Sequence, residues 1–306
     1  MINDLKVSLL IPTLNAGDDW LVALKSINEQ SFPIYKKIII DSGSTDTTVE
    51  LARSFDFKVS TIQKKDFNHG ATRQLLVNLS DNIDICILLT QDAILASPDS
   101  IYNIIKAFDD PQVSVAYGRQ LPHKNAKSLE THARLFNYPD KSEIVSINDV
   151  EQKGFKAFFC SNSFSAYRRK TLLETGGFPS DSIMGEDAIV AAKMLTAGYK
   201  KAYVAEAAVY HSHSYTLLEE YRRYFDTRVF HEQNIWLIND FGKPTGEGLK
   251  FIKSELKYVL KNDKLRLFKS VGSVFAKWLG YNSGRFFKSI PLALKKKLSM
   301  HSFYWK

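Results

Sequence analysis

The chain has 306 residues, 44% of them hydrophobic and 24% charged, with a net charge of +8. This is the composition of a folded protein large enough for one sizeable α/β domain and an appendage. No apolar run approaches the roughly 20 residues needed to span a bilayer, which excludes a transmembrane helix. The charge is uneven: residues 251–306 hold 13 Lys or Arg against Glu255 and Asp263, so this tail carries +11 and the first 250 residues −3. Such asymmetry suits an anionic partner for the tail, either a membrane surface or nucleic acid. Cys86 and Cys160 lie in apolar surroundings and read as core thiols of a reducing compartment. Met1–Lys6 lacks the basic-then-apolar layout of a secretory signal. A cytoplasmic location is expected.

In chain order, Lys6–Ile11 reads as a buried strand that Pro12-Thr-Leu-Asn15 ends. Trp20, Ala23, Leu24 and Ile27 recur at helical spacing. Lys36–Ile40 is a second strand, running into the polar loop Asp41-Ser-Gly-Ser-Thr-Asp46, and Val49, Ala52 and Phe55 mark the helix after it. Phe57–Ile62 is a third strand. Asp66–Arg73 enters another helix, with Leu75, Leu76 and Leu79 expected inward. The near-continuous apolar run from Ile83 reads as a strand buried on both faces, ending abruptly in Thr90-Gln91-Asp92. Ser97-Pro98 then starts a helix with Ile101, Ile104, Ile105 and Phe108 on one face.

Strands alternating with helices of about ten residues predict a parallel, doubly wound sheet whose strand-end loops converge on one edge. Ligands of open α/β sheets bind at that edge, so Asp92 is expected at the floor of the site. Asp41 and Asp46 could accept hydrogen bonds from a ribose or a base N–H, and Gly43 lets the backbone approach a ligand. The same loop chemistry also serves as ordinary helix capping. Arg73, with backbone amides near Gly70, could hold a diphosphate. No Walker or GxGxxG fingerprint is present, which weighs against a P-loop ATPase or a dinucleotide-binding domain.

Ile11-Pro-Thr-Leu-Asn15 and Ile40-Asp-Ser-Gly-Ser-Thr-Asp46 together resemble the start of family 2 glycosyltransferases of the GT-A fold. Phe67–Arg73, Leu89–Ala93, Tyr117–Pro122, Ser161–Ser165, Gly185-Glu-Asp187 and His211–Tyr215 resemble the bacterial O-antigen rhamnosyltransferase branch, which uses dTDP-rhamnose. The resemblance implies an α/β domain with a mostly parallel sheet and flanking helices over residues 1–245. Its nucleotide-sugar half is about 1–118 and its acceptor half about 119–245, and a basic helical extension follows over 246–306. The expected donor contacts are Pro12, Thr13, Asn15, Asp41, Ser42, Ser44, Asp46, Asn68, His69, Gly70, Arg73, Gln91 and Asp92. The family's metal motif is usually Asp-X-Asp. Here Thr90-Gln91-Asp92 keeps one carboxylate, so Mg2+ or Mn2+ would draw its other ligands from diphosphate oxygens and water.

Val113–Tyr117 is a further strand, and Leu121–Gly154 reads as a long irregular loop. Arg119, in the loop that follows the Val113–Tyr117 strand, and Asn162, in a strand over Phe158–Ser165, are the expected acceptor contacts. Gly185-Glu186-Asp187 opens a helix. Asp187 is the expected general base, taking the proton of the attacking hydroxyl, and Glu186 its neighbour or an acceptor contact. Lys201–Tyr210 is a strand leading into His211-Ser-His213. Residues two apart on an extended segment point the same way, so either histidine could be a metal ligand or a diphosphate contact. Thr216 and Glu219 form a capping box, and a domain boundary is expected at Gly242–Gly246.

The function implied is inverting transfer of L-rhamnose from dTDP-L-rhamnose to a polyprenyl-diphosphate-linked saccharide. Another nucleotide-sugar donor or a nucleotidyltransferase is an alternative within the enzymes. The basic tail alone suggests a nucleic-acid-binding protein, against which the acidic first 250 residues count. The tail is instead expected to dock on an anionic membrane surface, peripherally on the cytoplasmic face of the inner membrane. Phe268, Phe275, Trp278, Phe286, Phe287, Tyr304 and Trp305 would enter the interface.

Overall fold

Leu- and Ile-rich runs bounded by Pro, Asn and Gly build the first half as alternating strands and helices. The computed structural model describes residues 4–242 and 246–306. Its first elements are β1 (Val7–Thr13), α1 (Trp20–Asn28), β2 (Lys36–Asp41), α2 (Thr48–Ser54), β3 (Lys58–Thr61), α3 (His69–Leu79) and β4 (Ile85–Leu89). β1 pairs in parallel with β2 and β4, and β2 with β3. Every β4 side chain is buried, because one core layer holds Trp20, Leu24 and Ile27 and the other holds Leu76 and Val77. α3 differs from expectation in its face: Leu76 and Val77 turn inward and Leu75 is exposed.

The chain continues through β5 (Ile94–Leu95), α4 (Ser100–Lys106), β6 (Val113–Leu121), α5 (Ser128–Asn137), β7 (Glu143–Val145), α6 (Val150–Lys153), β8 (Phe164–Arg168), α7 (Arg169–Glu174), α8 (Glu186–Thr196) and β9 (Lys200–Tyr210). The sheet order is β3-β2-β1-β4-β8-β6-β9-β5, with β7 also on β9. The sheet is mixed: β8 runs antiparallel to both β4 and β6, while β6 and β9 are parallel. β4, β6 and β9 therefore point the same way and end on the edge where β1 and β2 end. The segment between β6 and β8 stays on that edge, so β8 re-enters the sheet from it and must run in reverse.

The stretch expected as one irregular loop contains α5, β7 and α6. Arg119 lies within β6 rather than in a loop. The strand expected over Phe158–Ser165 starts six residues later, after a 3-10 turn at Gly154–Phe158.

α9 (Leu217–Gln233), α10 (Ile235–Phe241), α11 (Glu247–Asn262), α12 (Leu267–Gly284) and α13 (Leu292–Leu298) complete the fold. Thr216 and Glu219 form the expected capping box of α9. The boundary expected at Gly242–Gly246 falls mostly on residues 243–245, outside the described residues. α12 lies directly on α9: a Cβ on Gly280 would sit 2.1 Å from the Tyr221 carbonyl oxygen, and one on Gly284 2.6 Å from that of Phe225. The tail then joins a third core with Phe225, Val229 and Phe230. This corrects the expectation for two aromatics, since Phe287 and Trp305 are only 8% and 7% exposed. Phe268, Phe275 and Trp278 do face outward, at 90%, 60% and 60% exposure. Among the described residues no helix is long and apolar enough to cross a membrane. Cys86 and Cys160 are buried free thiols.

Because backbone meets backbone at Gly280, Gly280→Ala should force α12 off α9 and destabilise the protein by about 1–3 kcal/mol. Thermal unfolding followed by circular dichroism measures this. A melting point unchanged from the parent would show that the helices can separate without loss.

Candidate active site

The loops at the strand ends are braced by their own hydrogen bonds. Asp41 is buried and accepts from Thr13 Oγ1 (3.0 Å), the Gly43 and Ser44 N–H groups (2.9 and 2.8 Å) and Ser44 Oγ (2.6 Å). Its lone pairs are therefore taken by the loop it shapes. Asn15, in left-handed backbone at φ 45°, receives the Thr45 N–H and donates its own N–H to Ser44 Oγ. Asp46 holds Thr48 and the Gly17 N–H in the same way. Gln91 ties the end of β4 to β1 by a two-way bond with the Leu14 backbone (2.8 and 3.1 Å).

Asn68 caps α3 through the Ala71 N–H. Gly70 is needed for packing, as a Cβ there would lie 1.7 Å from the Pro179 carbonyl oxygen. Ser42 is buried beside Asp41.

Between the loops lies a cleft of about 380 Å³. Of the expected donor residues it is lined by Pro12, Thr13, His69, Arg73, Gln91 and Asp92, joined by His211 and His213. Asn15, Asp41, Ser42, Ser44, Asp46, Asn68 and Gly70 are not among its lining residues. Arg73 is nearly buried, and its Nε has no hydrogen-bond partner in the protein. Such an orphaned donor in a cleft wall suits an anionic ligand.

At one end of the cleft three ligand atoms converge. Asp92 Oδ2 is 3.4 Å from His211 Nε2 and 3.5 Å from His213 Nε2, and the two nitrogens are 3.1 Å apart. This near-equilateral triangle has the spacing of neighbouring ligands around one cation. Burial opposes ionisation of Asp92, but the His211 hydrogen bond and the two imidazoles hold its carboxyl well below the usual range. Burial, then His211, pushes His213 down to about 4, so its ring is neutral and can ligate. His211 Nδ1 is 2.9 Å from Gln120 Oε1. With Nδ1–H donating to that oxygen, Nε2 is left free to face Asp92.

The second constellation is at the start of α8. Glu186 is buried in an ion pair with Arg73 Nη1 at 2.8 Å, and Asn162 Nδ2 donates to it at 3.2 Å. Burial alone would raise Glu186, but Arg73 and then His69 outweigh it and hold it below its ordinary value. The half-buried Asp187 accepts the N–H groups of Asn162 (3.0 Å) and Ala188 (2.8 Å). Burial, then the Glu186 charge, pushes it up to about 7. Two adjacent carboxyls with their acidities driven apart are the arrangement of an acid–base site.

Neither expected acceptor contact lines the cleft. Asn162 is buried, and its side chain is spent on Glu186, Ser165 and Tyr167. It positions the carboxylate pair. Arg119 Nε donates to the Tyr138 carbonyl, and its side chain lines neither the cleft nor the triad. Four residues at the site lie outside the expectations from sequence. Gln120 orients His211 across β6 and β9, a pairing that no local pattern reveals. Arg134 donates to the same Gln120 oxygen at 2.6 Å; the helical spacing of Leu129, Ala133 and Phe136 was the available signal. His301 and Phe303 stack edge-on and tilted against His69, at 5.0 and 5.7 Å between ring centroids, bringing the chain end to the cleft.

A reaction that expels a diphosphate and takes a proton from an incoming hydroxyl needs charge neutralisation at one point and a proton acceptor at another. One sheet edge here offers both, on the fold of the GT-A glycosyltransferases. The chain belongs to glycosyl transferase family 2, whose model matches residues 8–176. It is 48% identical to the O-antigen chain rhamnosyltransferase RfbN of Salmonella typhimurium, across 98% of this chain and 96% of that one. It is 43% identical to the O-antigen chain rhamnosyltransferase WbaN of Salmonella anatum, across 97% and 95%. Its fold matches that of a mannosyltransferase from Pyrobaculum calidifontis solved with GDP-Man and Mn2+. The TM-score is 0.59 at 16% identity, covering 98% of this chain and 85% of that one.

A base with its acidity near 7 is protonated, and so idle, below that pH. With both substrates saturating, turnover should fall about tenfold per pH unit below about 7. Asp187→Asn should lose roughly 10²–10⁴-fold in turnover and also lose that acid limb. Stopped-time product assays from pH 5 to 9 read both. A fully active Asp187→Asn beside a dead Glu186→Gln would move the base to Glu186.

Proposed function

We propose that this protein transfers L-rhamnose from dTDP-L-rhamnose to a sugar carried on a polyprenyl diphosphate, with inversion, in O-antigen synthesis. The substrate class is supported by the two whole-length relatives, both O-antigen chain rhamnosyltransferases. The observation that carries the chemistry is the half-buried Asp187, raised to about 7 beside an ionised Glu186. In this reading Asp187 accepts the proton of the acceptor hydroxyl as its oxygen bonds to the anomeric carbon. The bond from that carbon to the diphosphate breaks on the opposite face, and dTDP leaves with the electron pair. Arg73 holds Glu186 charged, and the cleft wall around Thr13 and Arg73 binds the nucleotide diphosphate.

Asp92, His211 and His213 would hold a divalent cation, which when bound neutralises charge on the departing diphosphate. The donor set of one carboxylate and two imidazoles suits Mn2+ better than Mg2+, which prefers oxygen ligands throughout. EDTA should therefore abolish transfer, with Mn2+ restoring it more fully than Mg2+. His211→Ala should weaken Mn2+ binding, read directly by electron paramagnetic resonance, by roughly 10–100-fold. Full activity in excess EDTA, or unaltered Mn2+ binding by His211→Ala, would remove the metal from the reading.

Residues 1–245 carry the transfer in this proposal, and 246–306 bring it to the acceptor at the cytoplasmic membrane face. The support is the outward face of α12, with Phe268, Phe275 and Trp278 exposed, and the basic residues Lys264 and Arg285 that flank the helix. Each Lys or Arg adds about 1 kcal/mol at an anionic surface, and the aromatics enter the interface. Truncation would also strip His301 and Phe303 from the donor cleft, so point variants are the cleaner probe. Phe268→Ser with Trp278→Ser should reduce sedimentation with phosphatidylglycerol vesicles several-fold, and raised salt should reduce it for the parent. Equal sedimentation of parent and variant would argue against this face.

A further inference from the structure

A second cavity, of about 400 Å³, shares His213 with the nucleotide cleft. It is walled by α5, α9, α11 and α12, and Arg134, Arg223, Lys269 and Lys277 line it. Two of these cations are already balanced by two carboxylates: Glu220 lies 3.4 Å from Arg223 and 3.5 Å from Lys277, and Glu255 lies 3.9 Å from Lys277. Arg134 and Lys269 have no carboxylate within ion-pair distance among the described residues. The Arg134 Nε is buried and without a hydrogen-bond partner. Partly buried cations without an ion-pair partner in a cavity wall favour an anionic occupant.

The cavity borders both halves of the reaction centre. Gln120 Oε1 accepts from Arg134 (2.6 Å) and lies 2.9 Å from His211 Nδ1, so the cavity's guanidinium and the cation triangle share one amide. Tyr138, another wall residue, lies close enough to Asp187 to feel its charge. The same helix that turns Lys269, Ser273 and Lys277 inward presents Phe268, Val271, Phe275 and Trp278 outward. An occupant with an anionic head and a hydrocarbon chain matches that division.

We propose that this cavity is the acceptor's diphosphate site: Arg134 and Lys269 grip the diphosphate of the lipid-linked sugar, and its chain leaves along the apolar face of α12. The sugar hydroxyl is thereby brought past His213 toward Asp187. This inference rests on the lipid-diphosphate acceptor of the proposed function.

The test uses the full chain and farnesyl diphosphate, titrated calorimetrically with the nucleotide cleft saturated by dTDP. Wild type should bind. Arg134→Gln and Lys269→Gln should each bind roughly tenfold or more weakly, the loss expected for one charge-assisted hydrogen bond. Lys269→Gln should keep its dTDP affinity, which shows that it is folded. Displacement of farnesyl diphosphate by dTDP, or unchanged affinity in both variants, would overturn the assignment. An equal loss of binding to phosphatidylglycerol vesicles would mark a headgroup site and also overturn it. Transfer assays separate the two readings. Failure of wild type to use any lipid diphosphate acceptor defeats the acceptor class and this cavity with it. Transfer with an unchanged acceptor KM in both variants defeats the cavity alone.

Discussion

The direction of the strands governs everything else in this molecule. β1, β2, β4, β6 and β9 all end on one edge, and the reversed β8 begins there. Asp92 follows β4, Gln120 is near the end of β6, Asn162 precedes β8 and His211 follows β9. Residues far apart in the chain therefore meet without long loops to carry them. Hydrogen-bonded strand ends position side chains more rigidly than loops would, which matters for a triangle whose edges are all near 3 Å.

Charge then divides the labour along that edge. Two neighbouring carboxyls at one helix start cannot both ionise cheaply when buried. Arg73 resolves the conflict by pairing with Glu186, and Asp187 is left as the one whose proton is loosely held near neutral pH. Asn162 serves both at once, its side chain on Glu186 and its N–H on Asp187. Asn162 thereby ties the two carboxyls to the start of β8. Asp41 shows a parallel economy: a buried carboxylate saturated by four local donors stiffens the loop that frames the cleft.

The tail combines two roles. Glycines let α12 reach the backbone of α9, and Phe287 and Trp305 bury themselves in the third core, so the extension is structurally part of the enzyme. Its end touches His69 at the cleft, while its outer face keeps large aromatics in solvent. A helix face that exposes Phe268, Phe275 and Trp278 together is unusual unless something covers it.

By itself the sequence determined the wound first half, the loops that end its strands, and the types of residue that meet there. Those features are local: hydrophobic period, strand length, Pro and Gly stops and the Thr216–Glu219 cap are all set within a few residues of chain. The motifs from Pro12 to Tyr215 likewise named the family and the carboxylates and histidines of interest. Only the tertiary structure decided which of them face the cleft and which brace it. The hydrogen bonds of Asp41 and Asn162 to partners up to 28 residues away are set only once the chain is folded. The reversal of β8, the orienting Gln120, the burial of Phe287 and Trp305 and the cavity around Arg134 all depend on contacts between distant segments. A one-dimensional pattern records how often a residue type recurs, and it carries no record of which distant partner will satisfy its charge or cover its surface.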